Sequence, residues 1–86
     1  VQSMMRVLSR EAARRGIRAN AVAPGVIDTT MAATIPESVR EEMLKNVPLG
    51  RFGRTEEVAN VVLFLCSPLA SYVTGQTIEI NGGWRG

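Results

Sequence analysis

Arg15-Gly16-Ile17-Arg18-Ala19-Asn20-Ala21-Val22-Ala23-Pro24-Gly25 is the stretch that decides how this chain folds. To its left, Val1, Met4, Met5, Leu8 and Ala12 recur at the spacing of a helix that buries one face. Gly16, directly after Arg14-Arg15, is the left-handed stop that follows a last turn carrying positive charge. A helix is therefore predicted over about residues 1–15. Ile17 to Val22 is short and lies between Gly16 and Pro24-Gly25; those flanks, more than its alternation, predict a strand. A helix closed by Gly and followed at once by a strand is an αβ unit. In open α/β sheets ligands bind beyond the carboxyl ends of strands, and Pro24-Gly25-Val26-Ile27-Asp28-Thr29 occupies that position. Pro24 fixes its own φ, Gly25 lets a backbone approach a ligand, and the main chain of Val26 or Ile27 can pair with a planar amide. Thr29 adds a hydroxyl. The same Pro-Gly pair is also an ordinary turn after a strand, and at this level both readings stand.

Further along, regularity fades. Asp28-Thr29-Thr30 is turn-like, Pro36-Glu37-Ser38 opens a short helix through about Lys45, and Pro48, Gly50 and Gly53 break up the stretch beyond it. Thr55 is the expected N-cap of a helix with Glu56 and Glu57 in its first turn; Val58, Val61, Val62 and Leu65 carry it to Cys66, and Ser67-Pro68 stops it. Thr74-Gly75 turns the chain, Gln76 to Ile80 alternates as a strand, and Asn81-Gly82-Gly83 ends it. Two strands joined by a crossover that contains helices predict parallel neighbours in a covered sheet, with a right-handed connection. Such a sheet needs further strands, and residue 1 is Val, so an upstream segment is expected.

Composition narrows the function. Of the 86 residues, 45% are apolar and none is His, which excludes a Ser-His-Asp triad, a Cys-His pair and a His-ligated metal within the chain. No metal site is expected. Cys66 stands alone, so there is no internal disulfide, which fits a reducing, cytoplasmic compartment. No apolar run is long enough for a membrane span. The net charge is +2, but the first twenty residues hold five arginines against Glu11 and carry +4, leaving −2 for the rest. Arg6, Arg10 and Arg14 fall on one helical stripe. That stripe reads either as a solvated face or as a docking strip for an acidic partner, and an interaction module built on it is the alternative to an enzyme. Nucleic acid is disfavoured as the partner because Glu37, Glu41, Glu42, Glu56 and Glu57 follow on the later helices.

The residues Arg15 to Gly25 with Ile27 and Thr29, Pro48-Leu49-Gly50-Arg51-Phe52-Gly53, Glu56-Glu57-Val58-Ala59, Phe64-Leu65, Tyr72-Val73-Thr74-Gly75-Gln76 and Asn81-Gly82-Gly83 together resemble the short-chain dehydrogenase/reductase family. The match runs in order over essentially all 86 residues, resembles the C-terminal third of the family's single domain, and lies closest to the 3-oxoacyl-(acyl-carrier-protein) reductases. The resemblance implies an α/β fold, the C-terminal part of a Rossmann-type doubly wound parallel sheet. It implies hydride transfer between NADP or NAD, NADP being favoured, and a small-molecule or carrier-linked carbonyl substrate. Pro24, Gly25, Val26, Ile27 and Thr29 then match the family's nicotinamide-binding segment, with the main chain of Ile27 on the carboxamide. Residues 30–54 match the substrate lid, in which Met31, Ile35, Met43 and Leu44 either line an acyl path or simply pack. Arg15, with Arg14 and Arg18 beside it, matches a carrier-docking position. The family's assembly implies a homo-tetramer, with the strand at Gln76–Ile80 at a sheet edge and Trp84 as an interface anchor or a local packing residue. The family's catalytic Ser and Tyr-x-x-x-Lys pair have no counterpart here: Tyr72 and Lys45 are the only Tyr and Lys, and neither stands in that motif. The pair is expected just before Val1, so the 86 residues alone are expected to be inactive.

Overall fold

The computed structural model describes residues 2–84, and the apolar role expected of Val1 lies outside the described residues. The first helix, α1, runs Gln2–Ala13. It closes as the sequence requires: Gly16 adopts φ +71°, its N–H donates to Ala13 O at 3.0 Å, and Ile17 N–H donates to Ala12 O at 3.0 Å. This is the Schellman pair of bonds, which only a left-handed residue permits at low cost. The face that α1 buries differs from the expected one. Met5 and Ser9 are covered, while Met4 and Leu8 stand in solvent. Ser9 lies over Gly75, where an added Cβ would stand 2.7 Å from its hydroxyl, so at this point the helix meets the rest of the chain through a small side chain.

Strand β1 is Ala21–Pro24, displaced from the expected Ile17–Val22. Residues 17–20 are tied to a loop rather than to a ladder. Ala19 N–H donates to Thr74 Oγ1 at 3.0 Å, Gly75 N–H to Ala19 O at 2.8 Å, and Asn20 bonds with both ends of its amide, from Nδ2 to Val73 O and from Gln76 N–H to Oδ1, each at 3.0 Å. Asn20 is thus the satisfied structural amide that a partly buried site demands, at the entrance to the strand rather than in its middle. The ladder begins with Ala21 N–H on Gln76 O. Strand β2, Thr77–Ile80, pairs with β1 in parallel, Ala21 against Thr77 and Pro24 against Ile80, as predicted from the crossover. Ala21 and Gly25 donate toward β2, so Pro24, one residue earlier, lacks its N–H on the other edge and leaves this ladder intact.

Between the strands lie a 3-10 turn at Ala32–Thr34, helix α2 at Glu37–Lys45 and helix α3 at Thr55–Cys66. Helix α3 carries Leu65 inward and packs on β1; Ser67 ends it, accepting Leu69 N–H on its hydroxyl ahead of a 3-10 turn, Pro68–Ala70. Its cap is one residue earlier than expected. Arg54, not Thr55, is the N-cap, and the Glu57 carboxylate accepts the Arg54 N–H at 2.8 Å. The radius of gyration is 15.5 Å, whereas a compact domain of this length has about 12 Å. No helix among the described residues is long and apolar enough to cross a membrane.

Candidate functional site

Past the ends of β1 and β2 three segments meet, and they meet where side chains are smallest. Gly25 N–H donates to Ile80 O at 2.8 Å, and a Cβ on Gly25 would stand 2.8 Å from Asn81 Cβ and 2.9 Å from Asn81 Cα. Only glycine lets these two backbones pass. The third segment is the exit of the excursion. Gly53 N–H donates to Val26 O at 3.0 Å and Asp28 N–H to Gly53 O at 2.7 Å, so Gly53 forms a parallel bridge to Ile27. In a parallel bridge the two bonds fall on either side of the bridged residue. The N–H and C=O of Ile27 itself therefore face away from Gly53, and no described residue bonds to either. Residues 24–29 end at Thr29, whose hydroxyl accepts the Ala32 N–H at 3.2 Å and keeps its own proton to donate.

Sequence reasoning names these residues without supplying the brace behind them. Arg51 Nη1 and Nη2 donate to Glu57 Oε1 and Oε2 at 2.7 and 2.8 Å, a two-point fork that spans the exit of the excursion and the first turn of α3. Arg51 Nη1 also donates to Phe52 O at 3.2 Å. The fork, with the Arg54 N–H, holds the Glu57 carboxyl down at about 2, and Arg51 is raised in turn. A signal for the cap was present: a carboxylate at the third helical position reaches back to the residue three before it, and from Glu57 that residue is Arg54. The reach of Arg51, six residues before Glu57, had none. Arg51, Glu57, Val26, Gly53 and Asn81 line a cavity of about 110 Å³ at this junction.

The expected lid residues differ in exposure. Met31 is 83% exposed, whereas Ile35, Met43 and Leu44 are half-buried. What holds residues 30–54 is a set the sequence did not single out: Ala32, Val47 and Phe52 are buried, and Arg40 donates to Ala32 O at 2.8 Å while its guanidinium lies 4.6 Å from the centre of the Phe52 ring. Of the docking arginines, Arg14 and Arg15 are exposed. Arg18 is half-buried and turned inward, 3.3 Å from Val73 O and 3.5 Å from Ser67 O, where it meets the carbonyl end of α3.

The geometry sits on a chain with close relatives. Residues 1–85 match the family model described as enoyl-(acyl carrier protein) reductase. The 3-oxoacyl-(acyl-carrier-protein) reductase of Aquifex aeolicus is 57% identical over 76 residues, covering 88% of this chain and 31% of that protein. The acetoacetyl-CoA reductase of Synechocystis sp. is 55% identical over 83 residues, covering 95% of this chain and 35% of that protein. Among solved structures, the 3-oxoacyl-(acyl-carrier protein) reductase of Brucella melitensis superposes with a TM-score of 0.94 at 40% identity, over 99% of this chain and 32% of that one. The chain thus spans about a third of the length of the relatives it matches. These relatives are reductases, and they lend no support to an interaction module built on the arginine helix.

Proposed function

The chain belongs to the short-chain dehydrogenase/reductase family, close to its 3-oxoacyl-(acyl-carrier-protein) reductases, and from that premise we propose that the whole protein is an NAD(P)-dependent reductase of 3-oxoacyl thioesters. The observation that carries this reading is the main chain of Ile27. Its N–H and C=O project together from a bridge made on the other side, and a primary carboxamide offers the matching acceptor and donor. Thr29 stands two residues on with a proton to donate, and Pro24-Gly25 supplies the close backbone approach. When bound, the dihydronicotinamide supplies the hydride. The work of Pro24, Gly25, Val26, Ile27 and Thr29 is to bind and orient that ring; the proton donor and the hydroxyl that polarises the carbonyl belong to the family's Tyr-x-x-x-Lys and Ser, which do not occur among these 86 residues.

We further read residues 30–54 as the substrate lid of a single domain to which all 86 residues belong. Met31, Ile35, Met43 and Leu44 then face the acyl chain, and Arg14 and Arg15 face its acidic carrier. NADP is favoured over NAD, and the apolar faces of α1 and α3 suit a homo-tetramer. The matched family model is named for an enoyl substrate and the relatives above for a 3-oxoacyl one, so the bond reduced is the point to test. Steady-state assays of the full-length protein should show oxidation of NADPH with a 3-oxoacyl thioester and none with the 2-enoyl thioester of equal length. The reverse preference would sink the reading. Arg14→Glu/Arg15→Glu should raise KM about tenfold for the carrier-linked substrate, the scale on which electrostatic steering works, and leave a carrier-free thioester unchanged. Unchanged kinetics with the carrier-linked substrate would remove the docking assignment. The 86 residues by themselves should reduce neither substrate.

A further inference from the structure

Arg51 and Glu57 make no hydrogen bond to Pro24, Gly25, Val26, Ile27 or Thr29, yet they fix the segment that shapes the proposed site. The Glu57 carboxylate collects three donors: both arms of the Arg51 fork at 2.7 and 2.8 Å, and the Arg54 N–H at 2.8 Å. Gly53 lies between those two anchored residues. It is held at both ends, by Arg51 through Phe52 O on one side and by the Arg54 cap on the other. Gly53 in turn makes the two bonds that flank Ile27, to Val26 O and from Asp28 N–H. The two segments run close together: a Cβ on Gly53 would stand 2.9 Å from Ile27 Cδ1. An exposed ion pair is ordinarily worth little, but a two-point guanidinium–carboxylate fork has fixed direction, and here the carboxylate also caps a helix. The chain of contacts runs without a gap from α3 through Glu57, Arg51 and Gly53 to the Ile27 main chain.

We propose that Arg51 and Glu57 are positioning residues of the dinucleotide site, which act through Gly53 to keep the N–H and C=O of Ile27 aimed at the nicotinamide carboxamide. The proposal rests on the reading of Ile27 given above and assigns a task to two residues outside that site. Loosening the fork lets the Gly53 bridge drift, which weakens the hold on the nicotinamide end of the dinucleotide and leaves its adenosine end untouched.

The test compares, by calorimetric titration of the full-length protein, NADPH with 2′-phospho-ADP-ribose and NADH with ADP-ribose, each pair differing by the nicotinamide. Glu57→Gln should reduce the preference for the whole dinucleotide about tenfold, the order of loss that accompanies misplacement of a binding group by a fraction of an ångström. Affinity for the nicotinamide-free ligand should stay within about twofold, since its contacts are remote from the fork. Arg51→Lys keeps the charge and loses the fork, and should move the ratio in the same direction; it also replaces Glu57→Gln if that variant does not fold. A wild-type preference that survives both substitutions overturns the proposal, as does equal weakening of both ligands or unfolding of both variants, which would make the pair a general stabiliser. A wild-type protein that binds the two ligands equally removes the reading of Ile27 itself, and the proposal with it.

Discussion

The carboxyl ends of the two strands and the outer faces of the helices are built on opposite terms. At the strand ends the chain is closed on itself: a Cβ on Gly25 would meet the Asn81 backbone, and Cβ atoms on Gly53, Gly82 and Gly83 would crowd the side chains of Ile27, Val47 and Pro48. Along the helices the chain is open. Met4, Val7 and Leu8 on α1, Leu63 and Phe64 on α3, and Leu69 and Tyr72 beyond it all stand in solvent, and among the described residues only six apolar ones are buried, none of them a large side chain hidden completely. The contrast separates what this stretch does by local contact from what it offers to other surfaces. Its strand ends are joined by close approaches within the chain, whereas its helices carry large apolar side chains into solvent.

The sharpest way to break the comparison is at Gly25. Gly25→Ala forces a methyl group onto Asn81 Cβ and Cα, where backbone has to move, and should cost about 2–3 kcal/mol, read as a lowered midpoint of thermal unfolding in the full-length protein. An unchanged midpoint would mean that the strand ends are not so closely joined. A smaller effect comes from acid. Glu57 ionises at about 2 in the folded chain against an ordinary 4.5, so its contribution is complete above 4.5 and is lost as pH falls from there through 2. Carbon-detected NMR titration of the Glu57 carboxyl should place its midpoint near 2, and a midpoint near 4.5 would show the fork to be absent in solution. The smallest effect belongs to the open side. Leu69→Ser and Tyr72→Ser should each change unfolding free energy by less than about 0.5 kcal/mol in the monomeric state, because neither side chain is packed. Urea unfolding at low protein concentration measures this, and a larger loss would show those residues to be buried within one chain.

How far the sequence can be read obeys the same division. Gly16, Pro36 and Ser67-Pro68 act on the chain within a turn of themselves, and the helix ends they predict are where the structure has them, within a residue or two. Asn20 and Gly75 act at a distance, and there sequence and structure part. Nothing local says that residues 17–20 will be stitched to 73–76, so the sequence places the start of the strand at Ile17 when the ladder begins at Ala21. Gly75 is likewise ordinary until α1 lies over it, where its lack of a side chain makes room for Ser9. In the proposed site, Pro24, Gly25 and Thr29 are legible from their place after a strand, which leaves Val26 and Ile27 as alternatives that the family resemblance separates. The Arg51–Glu57 fork is not, because a side chain reaching from a loop into a helix cap leaves no period in the sequence.

The pairing of Ala21 with Thr77 also governs how the molecule comes to be folded. The amide of Asn20 and the peptide of Gln76 are 56 residues apart in sequence and 3.0 Å apart in space. Closing a loop of that length removes on the order of 3–4 kcal/mol of chain entropy before any ladder bond returns it. Residues 30–54 and α3 both lie inside that loop, and the Arg40–Phe52 contact, the Arg51–Glu57 fork and the Gly53 bridge all form within it. The longest closure in this stretch is therefore made at the neck, where the Asn20 amide bonds to both Val73 and Gln76 on the far side.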